Sequence, residues 1–173
     1  MNFIKTNRLL VGLASSILFF SFFASLILTS FGNVEVKSLR LDTNNGQYII
    51  YDLFRPKSAK SESKAPFIAI IPGFQRSKEA LSNIAIELSR RGYVVALIDP
   101  YAQGLSSSSL STRAATTQGY GMFALVEDVH DGIFDFVDIE KIGATGHSMG
   151  GNAAIRGADF FGKQAIQNNT KSK

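Results

Sequence analysis

Three rhythms of apolar and polar residues divide this chain. The first is unbroken: Leu9 to Gly32 holds 24 residues without a charge, including the run LFFSFFASLIL. As a helix such a run is roughly 36 Å long, enough to cross a hydrocarbon core of about 30 Å with some tilt. Apolar on every side, it suits lipid better than a globular core. Lys5 and Arg8 precede it, like the charged start of an export signal. It exceeds the usual signal core of about 7–15 residues, and no Ala-x-Ala site follows it. Ser30-Phe31-Gly32 is the one weak cleavage candidate. Residues 1–32 are therefore expected to form an uncleaved signal anchor, in contact with the lipid bilayer through residues 9–32. Lys37 and Arg40 nearly balance Lys5 and Arg8 in the positive-inside count. Analogy with export signals puts the N-terminus inside and residues 33–173 on the extracytoplasmic side of a single-pass protein.

The second rhythm is period two. Residues 34–41 (VEVKSLRL) and 47–54 (QYIIYDLF) alternate, with NNG at 44–46 between them, and predict a β-hairpin. Residues 55–66 form a polar stretch bracketed by prolines and predict an exposed loop.

In the third rhythm, short buried runs alternate with helical periodicity. Residues 67–71 (FIAII) predict a strand covered on both faces. A helix over 78–91 is predicted from Leu81, Ile84, Ala85 and Leu88, with Gly92 capping its end. Residues 93–98 (YVVALI) are the next strand, and 101–119 a long loop rich in serine. Met122, Val126, Val129, Ile133 and Val137 define one helix face. Residues 141–145 (KIGAT) are the fifth strand, and a helix runs on from Met149. Antiparallel strands followed by strand–helix units predict an α/β fold whose later part is a parallel sheet with helices on both faces.

Composition narrows the function. A chain of 173 residues has room for about one domain beside the anchor. Of 18 basic residues only Lys5 and Arg8 precede Asn33, leaving 16 against 14 acidic ones. That balance, without basic runs interleaved with aromatics, excludes a nucleic-acid footprint. The absence of cysteine decides nothing about compartment. There is no internal repeat, and no metal-ligand cluster or cofactor motif is found, so neither metal nor cofactor is expected.

Gly146-His147-Ser148-Met149-Gly150 carries the chemistry. It matches G-x-S-x-G between a predicted strand and a predicted helix, the setting in which a sharp turn exposes a serine hydroxyl. The chain passes close to itself on both sides of such a turn, which Gly146 and Gly150 allow. Taken alone, the same glycines could simply pack helix on strand. A second element, IPGFQRSK (71–78), follows the first buried strand. Acyl transfer builds negative charge on a carbonyl oxygen, which backbone N–H groups can hold. The expected donors are Met149, at the helix start, and Phe74, with Gly73 allowing close approach.

These residues resemble the α/β-hydrolase superfamily, nearest to its dienelactone-hydrolase-like esterase branch. The resemblance rests on PGF (72–74), RRGYVVALIDPYAQGLS (90–106) and DIEKIGATGHSMGGNAA (138–154), within a span of about 34–165. Pro72 stands where the family often has His, and Ala102 where it often has the first glycine of its D-x-x-G-x-G-x-S loop. Asp99 of that loop is read as structural. The resemblance implies a Ser148 nucleophile, a carboxylic-ester substrate of small size, and an Asp or Glu and then a His following in chain order. Only His130 and His147 exist, and neither is placed to act as the base. The family has about eight strands and five are found here. The chain is thus expected to be the N-terminal part of a hydrolase, inactive without the rest of the fold. The unpaired fifth strand is expected to leave a sticky edge.

Two rivals stand beside this reading. Thr145–Asn152 (TGHSMGGN) partly resembles the phosphate loop of short-chain dehydrogenases, but Asn152 replaces its last glycine. The other is a membrane-tethered scaffold or binding module that keeps the fold without the chemistry. Ester, thioester, lactone and peptide substrates fit the motif equally, and the loop 105–119 is expected to border the pocket.

Overall fold

The computed structural model describes residues 2–28, 30–43, 46–108 and 116–171. A long helix, α1 (Asn2–Leu28), comes first. Its residues from Asn7 to Ile27 have a mean hydropathy of 2.2, and among the described residues this is the one helix long and apolar enough to cross a membrane. Leu10, Ile17, Phe20 and Phe23 are all exposed, so α1 does not serve as a core helix of the globular part.

Among the described residues five strands follow: β1 (Val34–Asp42), β2 (Tyr48–Pro56), β3 (Ala65–Ile71), β4 (Val94–Ile98) and β5 (Val137–Gly146). They form one sheet in the order β1-β2-β4-β3-β5. β1 and β2 form the expected antiparallel hairpin, with Val34 opposite Pro56 and Asp42 opposite Tyr48. Asn44 and Asn45 of its turn lie outside the described residues. β2 is antiparallel to β4, while β3 runs parallel to both β4 and β5. The expected mixed α/β sheet is therefore present.

Among the described residues, the helices that cover the sheet are α2 (Ser82–Arg90), α3 (Met122–His130) and α4 (Met149–Lys171). Every residue of β4 is buried, as its uninterrupted apolar run requires. Val94, Ala96 and Ile98 face a core shared with Met122, Phe123 and Leu125 of α3. Val95 and Leu97 face the opposite way, against Ala85 and Ile86 of α2. The result is three layers, with α3 and α4 on one face and α2 on the other.

The structure corrects the sequence reading in several places, among them the stretch 55–66, whose ends belong to β2 and β3 and whose Ala59 is buried instead of exposed. The predicted helix over 78–91 opens as a 3₁₀ turn at Lys78–Leu81, and α2 begins only at Ser82. Its buried residues are Ala85, Ile86 and Ser89, whereas Ile84 is 43 % exposed. Gly92 does cap α2: its N–H donates to Ser89 O, and the Tyr93 N–H reaches back to Leu88 O, a Schellman motif. A further correction concerns α3, which stops at His130 instead of continuing to Val137. Gly132, at φ +92°, closes it by the same motif, with Gly132 N–H to Val129 O and Ile133 N–H to Asp128 O. Ile133 is consequently exposed and Val137 opens β5. Strand β5 is also longer than 141–145, because a shift of register between Ala65 and Phe67 lets it start at Val137.

Among the described residues β5 pairs only with β3, so its other edge is open.

Candidate active site

The parallel register brings two loops to one end of the sheet. Ile71, the last residue of β3, pairs with Gly146, the last of β5. The His147 N–H then donates to Ile71 O at 3.1 Å, which ties the turn after β5 to the end of β3. Crowding at this crossing explains the glycines. A Cβ on Gly146 would lie 2.5 Å from Ile71 O and 2.6 Å from the carbonyl carbon of Gly150. One on Gly150 would collide with Ile71 O outright. Backbone atoms cannot rotate away as side chains do, so both positions exclude any larger residue.

Ser148 sits at the tip of this turn with φ +53°, in the left-handed region that non-glycine residues seldom adopt. Strain of this kind costs about 1–3 kcal/mol and persists only where the surroundings impose it. The turn closes through Gly150 N–H to His147 O at 2.9 Å and Asn152 N–H to Ser148 O at 3.0 Å, which starts α4. Ser148 is exposed, and Met149 is half-buried at the first position of the helix. The first N–H groups of a helix have no partner within it.

The loop after β3 lies against this turn. A Cβ on Gly73 would be 3.4 Å from Ser148 Cβ and 2.9 Å from His147 Nδ1. Pro72 and Gly73 are buried, whereas Phe74 is 69 % exposed. Among the described residues no backbone carbonyl accepts from the Phe74 or Met149 amide. The structure thus brings Gly73, Gly146, Ser148, Met149 and Gly150 together, with Phe74 one residue along the same loop.

Asp99 fixes the outer part of that loop. Wholly buried at the end of β4, its carboxylate accepts from the Lys78 amide at 2.7 Å and from the Leu105 amide at 3.0 Å. Its own carbonyl accepts from the Ser106 hydroxyl. A Cβ on Gly104 would fall on that carboxylate, so the residue must be glycine. Two contributors were not legible in the sequence. The Gln103 side-chain oxygen accepts from the Arg76 amide at 3.0 Å, joining the two loops directly. The buried Lys78 ammonium lies 2.9 Å from Glu79 and 3.7 Å from both Asp52 and Asp99. Burial alone lowers its pKa, but the hydrogen bond to Glu79 and the charges of Asp52 and Asp99 outweigh that and leave it raised. Glu79 is pulled down to about 2, first by the Ser77 hydroxyl and then by Lys78. Lys78 lies far along the chain from Asp52 and Asp99, and such a pairing leaves no periodic signal.

Neither histidine approaches Ser148 as a base. His147 is the preceding residue, exposed, with Nδ1 against Gly73. His130 ends α3 with its side chain 69 % exposed, 3.8 Å from Asp131. It is a surface residue. Residues 109–115 of the serine-rich loop lie outside the described residues. A cleft of about 730 Å³ runs between α3, α4 and β5, lined by Val126, Ile142, Ala154 and Phe161. It includes none of Ser148, Met149 or Phe74.

Comparison with known proteins places the fold. A family model described as PETase, PET hydrolase-like, matches residues 23–167. The chain belongs to the PET hydrolase-like family. Solved structures agree on an α/β-hydrolase fold for this PET hydrolase-like chain. It is similar to DcsB, solved in complex with its substrate analogue, at 25 % identity and a TM-score of 0.58, over 69 % of this chain and 40 % of that one. The α/β hydrolase GrgF from Penicillium sp. sh18 matches at 22 % identity and a TM-score of 0.60, covering 73 % and 42 % of the two chains. Est1E from Butyrivibrio proteoclasticus, solved with ferulic acid bound, matches at 23 % and 0.60, over 70 % and 47 %. The PET hydrolase-like chain spans less than half the length of each of the three. No curated protein matches it. The superfamily expected from the sequence is the one found, and the dehydrogenase-like reading of Thr145–Asn152 falls.

Proposed function

We propose that this chain is a membrane-anchored serine hydrolase of carboxylic esters, with residues 1–32 as the anchor and residues 33–173 as an extracytoplasmic hydrolase domain. Ser148 is the nucleophile, and the Phe74 and Met149 amides form the oxyanion hole. The observation that carries this reading is the exposed, positive-φ serine wedged between Gly146 and Gly150, with Gly73 against its Cβ. Such a turn is built where a hydroxyl has to be presented, and helix packing alone has no use for its strain.

In the reaction, Ser148 Oγ attacks the ester carbonyl carbon as its proton passes to a general base. The carbonyl oxygen becomes an oxyanion, and the two amides hold it where charge develops. Collapse breaks the bond to the alkoxy oxygen, which leaves as the alcohol with the base's proton. Water then attacks the acyl-serine by the same route, releasing the acid and restoring the hydroxyl.

The base and its orienting carboxylate are not among the described residues near Ser148. They are to be supplied by further polypeptide packing beyond the open edge of β5, as the longer relatives suggest. The chain by itself is therefore expected to turn over little or no ester, since losing the histidine removes most triad catalysis. Assay of the 173-residue chain with p-nitrophenyl butyrate tests this. Robust turnover abolished in Ser148→Ala would overturn the missing-base claim and leave the nucleophile standing. Robust turnover unchanged in Ser148→Ala would overturn the nucleophile. The absence of a base near Ser148 also favours one alternative, a membrane-tethered scaffold with the hydrolase fold and no chemistry.

A further inference from the structure

The place where α1 joins the rest of the molecule decides which end of it faces lipid. Ser30 and Phe31 donate their amides to Ile27 and Leu26 of α1, Asn33 donates to Ser30, and Lys57 donates to Asn33 at 2.9 Å. The Arg90 guanidinium, at the end of α2, donates to Ile27 O. The last turn of the helix is thus tied to the ends of β2 and α2, and the link runs straight into β1 at Val34. Phe31, 72 % exposed, and the cations Lys57 and Arg90 stand at this junction, an aromatic and basic collar of the kind that sits at headgroup level.

Strand register shows where Ser148 lies relative to that junction. β1 is antiparallel to β2, and β2 to β4, so β1 points the same way as β4, β3 and β5. Ser38, Asp52, Leu97, Ile70 and Thr145 form one row across the sheet. Val34 comes before that row and Ser148 after it. At about 3.3 Å per residue the junction is ~13 Å below the row, and four strand spacings of about 4.8 Å put it ~19 Å to one side. Ser148 is higher still. Phe74 and Leu105, both exposed apolar residues, stand at the same far end.

We propose that the Ser148 site faces water, away from the bilayer that α1 enters, and takes a water-borne carboxylic ester in preference to the acyl ester of a membrane lipid. This rests on the reading of Ser148 as nucleophile and of α1 as anchor. The ester bonds of a phospholipid lie at the boundary of the hydrocarbon core. Bringing one to Ser148 means drawing both acyl chains into water, at a cost that grows with every methylene exposed. An ester that arrives from the aqueous side meets the site directly, and Phe74 and Leu105 offer apolar contact for its acyl or alcohol part.

The native chain has no cysteine, so single cysteines report position without background. The full chain is reconstituted in phosphatidylcholine vesicles with a bimane probe carried by Phe31→Cys, Lys57→Cys, Gln75→Cys or Leu105→Cys. Spin-labelled lipid headgroups are expected to quench the first two several-fold more than the last two, and aqueous iodide to show the reverse order. Lipid quenching at the 75 or 105 probe equal to that at 31 would overturn the proposal. If the chain fails to float with the vesicles, the proposal falls through its anchor, and the chemistry of Ser148 is untouched. Failure of Ser148 to act as nucleophile shows instead in the ester assay of Ser148→Ala; it removes the substrate and leaves the quenching pattern as it is.

Discussion

Gly73 and Ser148 are so close that a single methyl group on the former would touch Cβ of the latter at 3.4 Å. The two residues belong to loops after different strands, yet they form one wall. The same methyl would also press on His147 Nδ1, at 2.9 Å, but that is a side chain able to turn aside. Gly73→Ala is therefore expected to fold with a loss of no more than about 1 kcal/mol. Gly146→Ala and Gly150→Ala meet the backbone of β3, which has nowhere to go. Their cost is expected to reach or exceed about 3 kcal/mol, the upper range for overpacked cores. Urea melts of the three variants check the order.

Much of this wall was legible in the sequence because glycine, serine and the strand–helix change fall at fixed offsets along a short stretch. Ser148, its flanking glycines and the loop at Gly73 were all found that way. The helices were less legible where an apolar pattern ran past its stop. Ile133 and Val137 continue the spacing of Met122, Val126 and Val129, but Gly132 stands between them and its Schellman closure wins. In α2 the expected face missed Ile86 because Ser89, a polar residue, takes a core place where the Phe54 and Tyr93 carbonyls, both at 3.0 Å, share its one hydroxyl proton. Lys78 was the least legible, since a buried charge depends on partners that only the fold assembles, whereas Asp99 takes the structural place in the loop that was expected of it.

Removing the Asp99 carboxylate tests that assembly. Asp99→Asn keeps the shape and loses the charge facing Lys78, and one of its two amide acceptors becomes a donor. Asp52 and Glu79 still face the ammonium, so the expected loss is about 1–3 kcal/mol. Hydrogen exchange at the Lys78 and Leu105 amides is expected to accelerate more than at β4. Unchanged exchange at both amides would contradict the role given to Asp99.

The pH dependence has a definite sign. Glu79 is held at about 2 in the folded state, below its ordinary 4.5, so its contribution is complete above 4.5 and is lost as pH falls towards 2. Lys78 is raised, so its contribution is complete below 10.5 and is lost as pH climbs through the folded value. Glu79→Gln is expected to flatten the acid limb of a stability–pH profile. Glu79 is 65 % exposed, so added salt should weaken that limb as well.

The open side of β5 should govern solution behaviour. Without α1, residues 33–173 are expected to self-associate, because an unpaired strand edge templates further pairing. Ile139, 37 % exposed on that strand, is the place to interfere. Ile139→Lys is expected to shift light scattering towards a single small species. A monodisperse, cooperatively melting 33–173 without any substitution would contradict the expectation.

The most direct measurement is where a fluorophosphonate lands. Incubating the full chain with the probe, then mapping the adduct by peptide mass spectrometry, asks whether one serine among many is singled out. The expected result is a slow adduct on Ser148, faster with added imidazole as a substitute base and abolished by unfolding in urea. Adducts spread evenly over the exposed serines, or none at Ser148, would contradict it.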